Sequence, residues 1–247
     1  MSFAYKDSSE AMSNLTKFTS LSRKIVAVGR NYAEHAKVLT NQNTVFQYYW
    51  LIIWQELGNA VPSKPLLFMK PPSAYITAGH KIEIPLGCND LHHEIELGVI
   101  INKTCKRVTK EDAMNYGGGY CLALDMTARD FQVTIGLGLT GYDSWKSALQ
   151  NEAKAKGSPW TMAKMFDTSC PVSSFIPVSS ISDPGNVELW CKVNGEARQS
   201  GNTKDMIFSV PTLISFISDY FTLEEGDLVL TGLNKAETNT LISWFIS

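Results

Sequence analysis

The sequence predicts an α+β fold that is mostly β, and three observations carry that prediction. Apolar segments of strand length recur along the chain, at Lys24–Val28, Leu66–Met69, Tyr120–Thr127 and Leu228–Leu230, each with Gly or Pro close by. An Asn194-Gly195 turn joins Val187–Val193 to Glu196–Gln199, the strongest short-range hairpin signal a sequence can carry. Against these strands stands one well-formed amphipathic helix, Val210–Tyr220, with Ser209 at its cap and Pro211 in its first turn.

In chain order, Met1–Lys24 is Ser-rich and lacks an apolar centre, which excludes a secretory signal. Asp7, Glu10 and the scarcity of Arg also make it a poor mitochondrial transit peptide, so residues 1–23 are expected to be a flexible terminus. Lys24–Val28 ends in Gly29-Arg30-Asn31, where Asn31 is placed to cap a short helix over Tyr32–Lys37. His35 on that helix is either a general base or a plain exposed helix residue. Val38–Gln55 then breaks the pattern: it has no charge, two of the six tryptophans and no clean period. Its apolar centre, Val45–Trp54, is too short to span a bilayer. Regular texture returns with the strand Leu66–Met69, a turn at Lys70-Pro71-Pro72 and a short strand expected at Lys81–Pro85.

The most informative stretch is His92–Ile101, H-H-E-I-E-L-G-V-I-I. As a strand it puts His92, Glu94 and Glu96 on one face and His93, Ile95, Leu97 and Val99 on the other. Two carboxylates one pleat apart repel unless a cation or a proton lies between them. A hard divalent ion such as Mg²⁺ suits oxygen ligands; a solvated strand face is the competing explanation. Beyond it, a short helix is expected over Val108–Tyr116, opened by Thr109 and ended by Gly117-Gly118-Gly119. Tyr120–Thr127 is a buried strand that delivers Asp125 among apolar neighbours, expensive unless paired or bound to metal. Asp125 is the third candidate ligand, with Arg129 and Asp130 just behind it. Val133–Gln150 breaks the texture again. Lys164 follows in an apolar setting, where its pKa is depressed or its charge aimed at an anion, or else it snorkels to the surface.

Composition narrows the function. Net charge is −2 with no long run of either sign, against a nucleic-acid partner. Five scattered cysteines without C-x-x-C spacing read as reduced, mostly buried thiols of an intracellular protein rather than a zinc or disulfide framework. Phosphate-loop, nucleophile-elbow and H-E-x-x-H motifs are absent from the sequence. No membrane association is expected.

Taken together, Gly29-Arg30-Asn31-Tyr32, His35, His92-His93-Glu94-x-Glu96-Leu97-Gly98, Asp125-Met126-Thr127-Ala128-Arg129-Asp130 and Trp160-Thr161-x-Ala163-Lys164 resemble the fumarylacetoacetate hydrolase domain family. The acylpyruvase/oxaloacetate decarboxylase branch is the nearest in pattern. The resemblance runs over residues 24–232 and implies a mixed β-roll/β-sandwich, a homodimer, and Mg²⁺ or Mn²⁺ held by Glu94, Glu96 and Asp125. It further implies that Arg30, Gln132 and Lys164 face a small 2-oxo acid, and that His35 with Glu56 activates water. The implied chemistry is C–C cleavage of acylpyruvates or decarboxylation of oxaloacetate through an enolate that the ion stabilises. Enol–keto tautomerisation of oxaloacetate, or a catalytically impaired metal-binding variant, are the alternatives. The implied compartment is the mitochondrion and/or the cytoplasm.

Three segments depart from that pattern: residues 38–55, 133–150 and 233–247. Both internal blocks begin with Val and end with Gln, as translated introns with a GT start and a CAG end would. Without the first, Glu56 falls three residues after His35; without the second, Gln132 runs straight into Asn151. Both blocks are therefore read as retained introns, and residues 233–247 as an atypical tail.

Overall fold

The computed structural model describes residues 14–32, 62–134, 160–232 and 237–238. Residues 33–37 of the expected helix, with His35, and Glu56 lie outside the described residues, as do all of 38–55 and most of 133–150 and of the tail. In chain order the elements are α1 (Phe18–Leu21), β1 (Ile25–Gly29), β2 (Leu66–Lys70), β3 (Tyr75–Thr77), β4 (Leu91–His93) and β5 (Ile95–Ile101). They continue with β6 (Gly117–Leu124), β7 (Thr127–Ala128), α2 (Arg129–Thr134), α3 (Thr161–Lys164), β8 (Cys170–Val172) and β9 (Ile176–Pro177). The hairpin β10 (Glu188–Val193) and β11 (Glu196–Asn202) precedes α4 (Val210–Tyr220), β12 (Leu228–Leu230) and β13 (Glu237–Thr238).

The architecture is mostly β, as expected. Among the described residues one eight-stranded sheet runs β2-β1-β12-β5-β6-β8-β3, with β9 beside β6. β12 enters between β1 and β5, parallel to the first and antiparallel to the second. Each central strand is apolar on both faces, so the sheet is packed on both sides. Val26, Val28, Leu97, Val99 and Tyr120 meet Leu213, Ile214 and Ile217 of α4 in one core. Ile25, Ala27, Ile100, Cys121 and Ala123 meet Leu15, Phe18, Cys170 and Val172 in the other. A separate three-stranded sheet, β13-β4-β7, lies at the end of β5. No helix among the described residues is long and apolar enough to cross a membrane.

Two local expectations need correction. Lys81–Pro85 is not a strand; this segment is irregular and largely exposed, and Glu83 N–H donates to Thr168 Oγ1 rather than to a ladder. The helix at Val108–Tyr116 shrinks to a 3₁₀ turn over Ala113–Tyr116, because Thr109 Oγ1 caps Asp112 N–H and only one turn follows. The glycine triplet does end that turn, with Gly117 at its C-cap and its N–H donating to the Met114 carbonyl, and it also opens β6. Its glycines are needed for approach: a Cβ on Gly119 would lie 2.2 Å from the Phe175 ring, and one on Gly118 would lie 2.5 Å from Leu15. Asn31 is wholly buried, and the N–H groups it was expected to cap lie outside the described residues. Its Nδ2 donates to the carbonyls of Phe208 and Thr231, and its Oδ1 accepts from Phe208 N–H.

Candidate metal centre

The alternation through His92–Ile101 survives, but as two strands. β4 pairs with β7 and β13, whereas β5 pairs with β6 and β12, so the chain changes sheets at Glu94. His93 and Leu97 stay on the buried face predicted for them. The opposite face is also buried: Ile100, two pleats beyond Glu96, packs into the second core. Register then brings the acids together: Glu96 lies opposite Ala123 on β6, so Asp125 emerges beside Glu94, and Asp125 N–H donates to the Glu94 carbonyl at 2.8 Å. The end of an apolar strand thus carries a carboxylate to the point where two others already stand.

Glu94, Glu96 and Asp125 are all buried, and each offers an oxygen within 4.8 Å of the others. At an effective dielectric of about 20, each ionised pair at that spacing repels by about 3 kcal/mol. Cations offset this in part. Lys164 Nζ donates to Glu94 Oε2 at 2.7 Å and to Asp125 Oδ2, and lies 5.0 Å from the centre of the Phe68 ring. Arg129 donates to Glu94 Oε1 at 2.7 Å. Glu96 has the poorest compensation: burial, then Asp125 and Glu94, push its carboxyl well above the usual range, and Gly232 N–H donates to its Oε2 at 2.7 Å. Burial also acts to raise Asp125, but Lys164 and Lys70 outweigh it and hold the carboxyl low. Three buried carboxylate donors around one point suit a hard divalent cation such as Mg²⁺ or Mn²⁺, so the residues present fit such an ion.

Lys164 departs from expectation in one respect. Burial alone would depress its pKa, yet Asp125 and then Glu94 reverse the sign and raise it. It is a permanent cation in this cluster and not a surface lysine: its side chain is 4% exposed. Arg30 is exposed, with a left-handed backbone at φ 58°, directly after β1. Gln132 lies on α2, three residues beyond Arg129. His35 and Glu56 lie outside the described residues, so their pairing belongs to the sequence reading alone.

Lys70 is the residue that sequence reasoning passed over as part of a turn. It is 1% exposed, and its Nζ lies 2.8 Å from Asp125 Oδ1. The same ammonium donates to Ser169 Oγ at 3.1 Å, to Met126 O at 3.3 Å and to Lys164 O. It therefore grips Asp125 and the end of α3 together. Its signal was available: a lysine closing the apolar run Leu66–Met69 needs a buried partner, and Asp125 needed one too.

Known proteins with this pattern are numerous. The mitochondrial oxaloacetate tautomerase of Caenorhabditis elegans is 47% identical over 221 residues, covering 90% of this chain and 86% of the relative. The mitochondrial oxaloacetate decarboxylase of Dictyostelium discoideum is 48% identical over 219 residues, 88% of this chain and 84% of that one. Among solved structures, the fumarylpyruvate hydrolase of Pseudomonas aeruginosa in complex with Mn²⁺ and pyruvate superposes with a TM-score of 0.67 at 29% identity, covering 89% of this chain and 81% of that one. Relatives in several organisms are mitochondrial by name, in agreement with the first of the two expected compartments. Residues 24–241 match the family described as fumarylacetoacetate (FAA) hydrolase C-terminal, and with this fold and these relatives the chain belongs to that enzyme family.

Proposed function

We propose that this chain is a divalent-metal enzyme acting on small 2-oxo acids, with Glu94, Glu96 and Asp125 holding Mg²⁺ or Mn²⁺. The observation that carries the reading is the convergence of three buried carboxylates within 4.8 Å of one another. A divalent ion bound there would act as a Lewis acid toward the 2-oxo and carboxylate oxygens of substrate. The protein's own groups supply the rest. Lys164 adds fixed positive charge beside the carboxylates, where an oxyanion would develop. Lys70 holds Asp125 by Oδ1 and leaves Oδ2 turned toward Lys164. Arg30 and Gln132 orient the acid, and His35 with Glu56 moves the proton or activates water. In this reading residues 24–232 are the catalytic domain, 38–55 and 133–150 are insertions, and two copies form a homodimer in the mitochondrion.

Charge favours an anionic substrate. Among the described residues, Lys70, Lys164 and Arg129 match the three carboxylates one for one, so a divalent ion leaves the cluster with surplus positive charge. C–C cleavage of acylpyruvates, decarboxylation of oxaloacetate and its enol–keto tautomerisation all use one enolate, and the named activities of the relatives support the last two most directly.

The test uses the purified full chain, with Mg²⁺, Mn²⁺ or EDTA, beside a variant lacking residues 38–55 and 133–150. Loss of oxaloacetate, decay of its enol absorbance and cleavage of acetylpyruvate are followed separately. Metal-dependent turnover of at least one substrate is expected. Turnover confined to the shortened variant assigns the block to the insertions, and silence of both forms on all three substrates would refute the reading.

A further inference from the structure

A break in a strand leaves main-chain groups that some other partner must satisfy. At Glu94, where β4 gives way to β5, that partner is a side chain. Gln199 Oε1 accepts from Ile95 N–H at 3.0 Å, and Gln199 Nε2 donates to the His93 carbonyl at 3.1 Å. One amide therefore spans the residues on either side of Glu94, in the place a neighbouring strand's peptide would take. Asp125 N–H grips the Glu94 carbonyl itself at 2.8 Å. Glu94 is held at three successive main-chain positions while its carboxylate stays turned toward Glu96 and Asp125.

The hairpin β10–β11, outside the ladder of the main sheet, brings Gln199 there by an irregularity. Val193 pairs with Glu196 and Lys192 with Ala197, but Cys191 pairs with Gln199, so Arg198 is an extra residue in the ladder. Such a bulge exchanges the faces of everything beyond it. In a regular ladder Gln199 would share the face of Trp190, which is 54% exposed; with the bulge it shares that of buried Cys191 and is itself 5% exposed.

We propose that Gln199 is a positioning residue for the reaction centre: its amide, turned inward by the bulge at Arg198, fixes the backbone of Glu94 and so the place of that carboxylate among the metal ligands. This rests on the metal reading above, and the two can fail separately. Outer partners that orient a ligand are worth about ten- to hundredfold in metal affinity.

The experiment is a calorimetric titration of metal-free full-length chain with Mn²⁺, together with the Mn²⁺ electron paramagnetic resonance spectrum of the complex. Three variants are compared with the unsubstituted chain. Gln199→Met removes both hydrogen bonds. Gln199→Glu keeps the acceptor for Ile95 N–H and the side-chain volume, but sets an oxygen against the His93 carbonyl. Leu189→Ala, on the buried face of the same hairpin, weakens its packing without touching Glu94. Mn²⁺ affinity is expected to fall about tenfold or more in both Gln199 variants, with an altered spectrum, and to stay unchanged in Leu189→Ala. Unchanged affinity in the Gln199 variants, or an equal fall in Leu189→Ala, would overturn the proposal. An unsubstituted chain that takes up no Mn²⁺ would overturn the metal reading and the proposal with it.

Discussion

Replacing Lys70 with Met removes a buried ammonium and keeps a side chain of similar length. The ammonium lies 2.8 Å from Asp125 Oδ1 and also donates to Ser169 Oγ, Met126 O and Lys164 O. Breaking a buried ion pair from one side costs about 3–5 kcal/mol, because the remaining charge stays desolvated. In a chain of this size each kcal/mol lowers the thermal midpoint by about 2–4 °C, so Lys70→Met in EDTA should melt about 6–20 °C below the unsubstituted chain. Metal should act in the opposite direction. With Lys70 gone, one positive charge fewer competes for Asp125, and the rise in midpoint on adding excess Mn²⁺ should be larger in the variant. Scanning calorimetry with EDTA and then with Mn²⁺ measures both terms. A midpoint within about 2 °C of the unsubstituted chain in EDTA would refute the ledger of buried charge. A smaller Mn²⁺ response would refute the placement of Lys70 as a competitor for Asp125.

Two further outcomes follow from groups away from the ligands' own oxygens. Asp227 is fully buried, accepts from the N–H groups of Arg23, Lys24 and Glu224, and lies 2.6 Å from Lys24 Nζ. Asp227→Ala should cost about 3–5 kcal/mol in urea unfolding, and an unchanged midpoint would contradict its role in closing β1 onto β12. His93 is buried, and burial followed by His92 and Arg198 pushes its pKa down from 6.5 to about 4. The unfolded chain takes up that proton first, so the contribution is complete above about 6.5 and is lost as pH falls toward about 4. His93→Phe should flatten the decline in thermal midpoint over that interval; parallel curves for the two proteins would count against it.

Strands and helix were legible because their signals are local. β1, β2, β5, β12, the β10–β11 hairpin and α4 follow from apolar runs, an Asn-Gly turn and a capped amphipathic period. The three carboxylates were legible for a related reason: acids stand out when their neighbours are apolar. What escaped depends on distant partners. Gly117 was legible as the stop of the helical turn, but the close packing at 118 and 119 shows only when Leu15 and Phe175 are seen against them. Nothing local to Asn31 tells that the carbonyls of Phe208 and Thr231 take its amide N–H groups. The change of sheet at Glu94 leaves no trace in the alternation, since polarity runs on unbroken from β4 to β5. Lys164 was found, but the sign of its pKa shift follows from Asp125 and Glu94 together, which no single segment contains.

The place of β12 has a consequence for how the molecule is made. This strand is made long after β1 and β5, yet it belongs in the middle of the sheet, between them. Until residues 228–230 arrive, β1 and β5 each present an unpaired edge, the kind that recruits other chains. Ile25 and Leu228 pair across more than 200 positions of sequence, and such distant contacts form slowly. The later strand therefore enters as a keystone between two earlier ones. A transcript that stops short of it would yield two half-sheets with exposed margins, a substrate for chaperones or aggregation rather than a smaller enzyme.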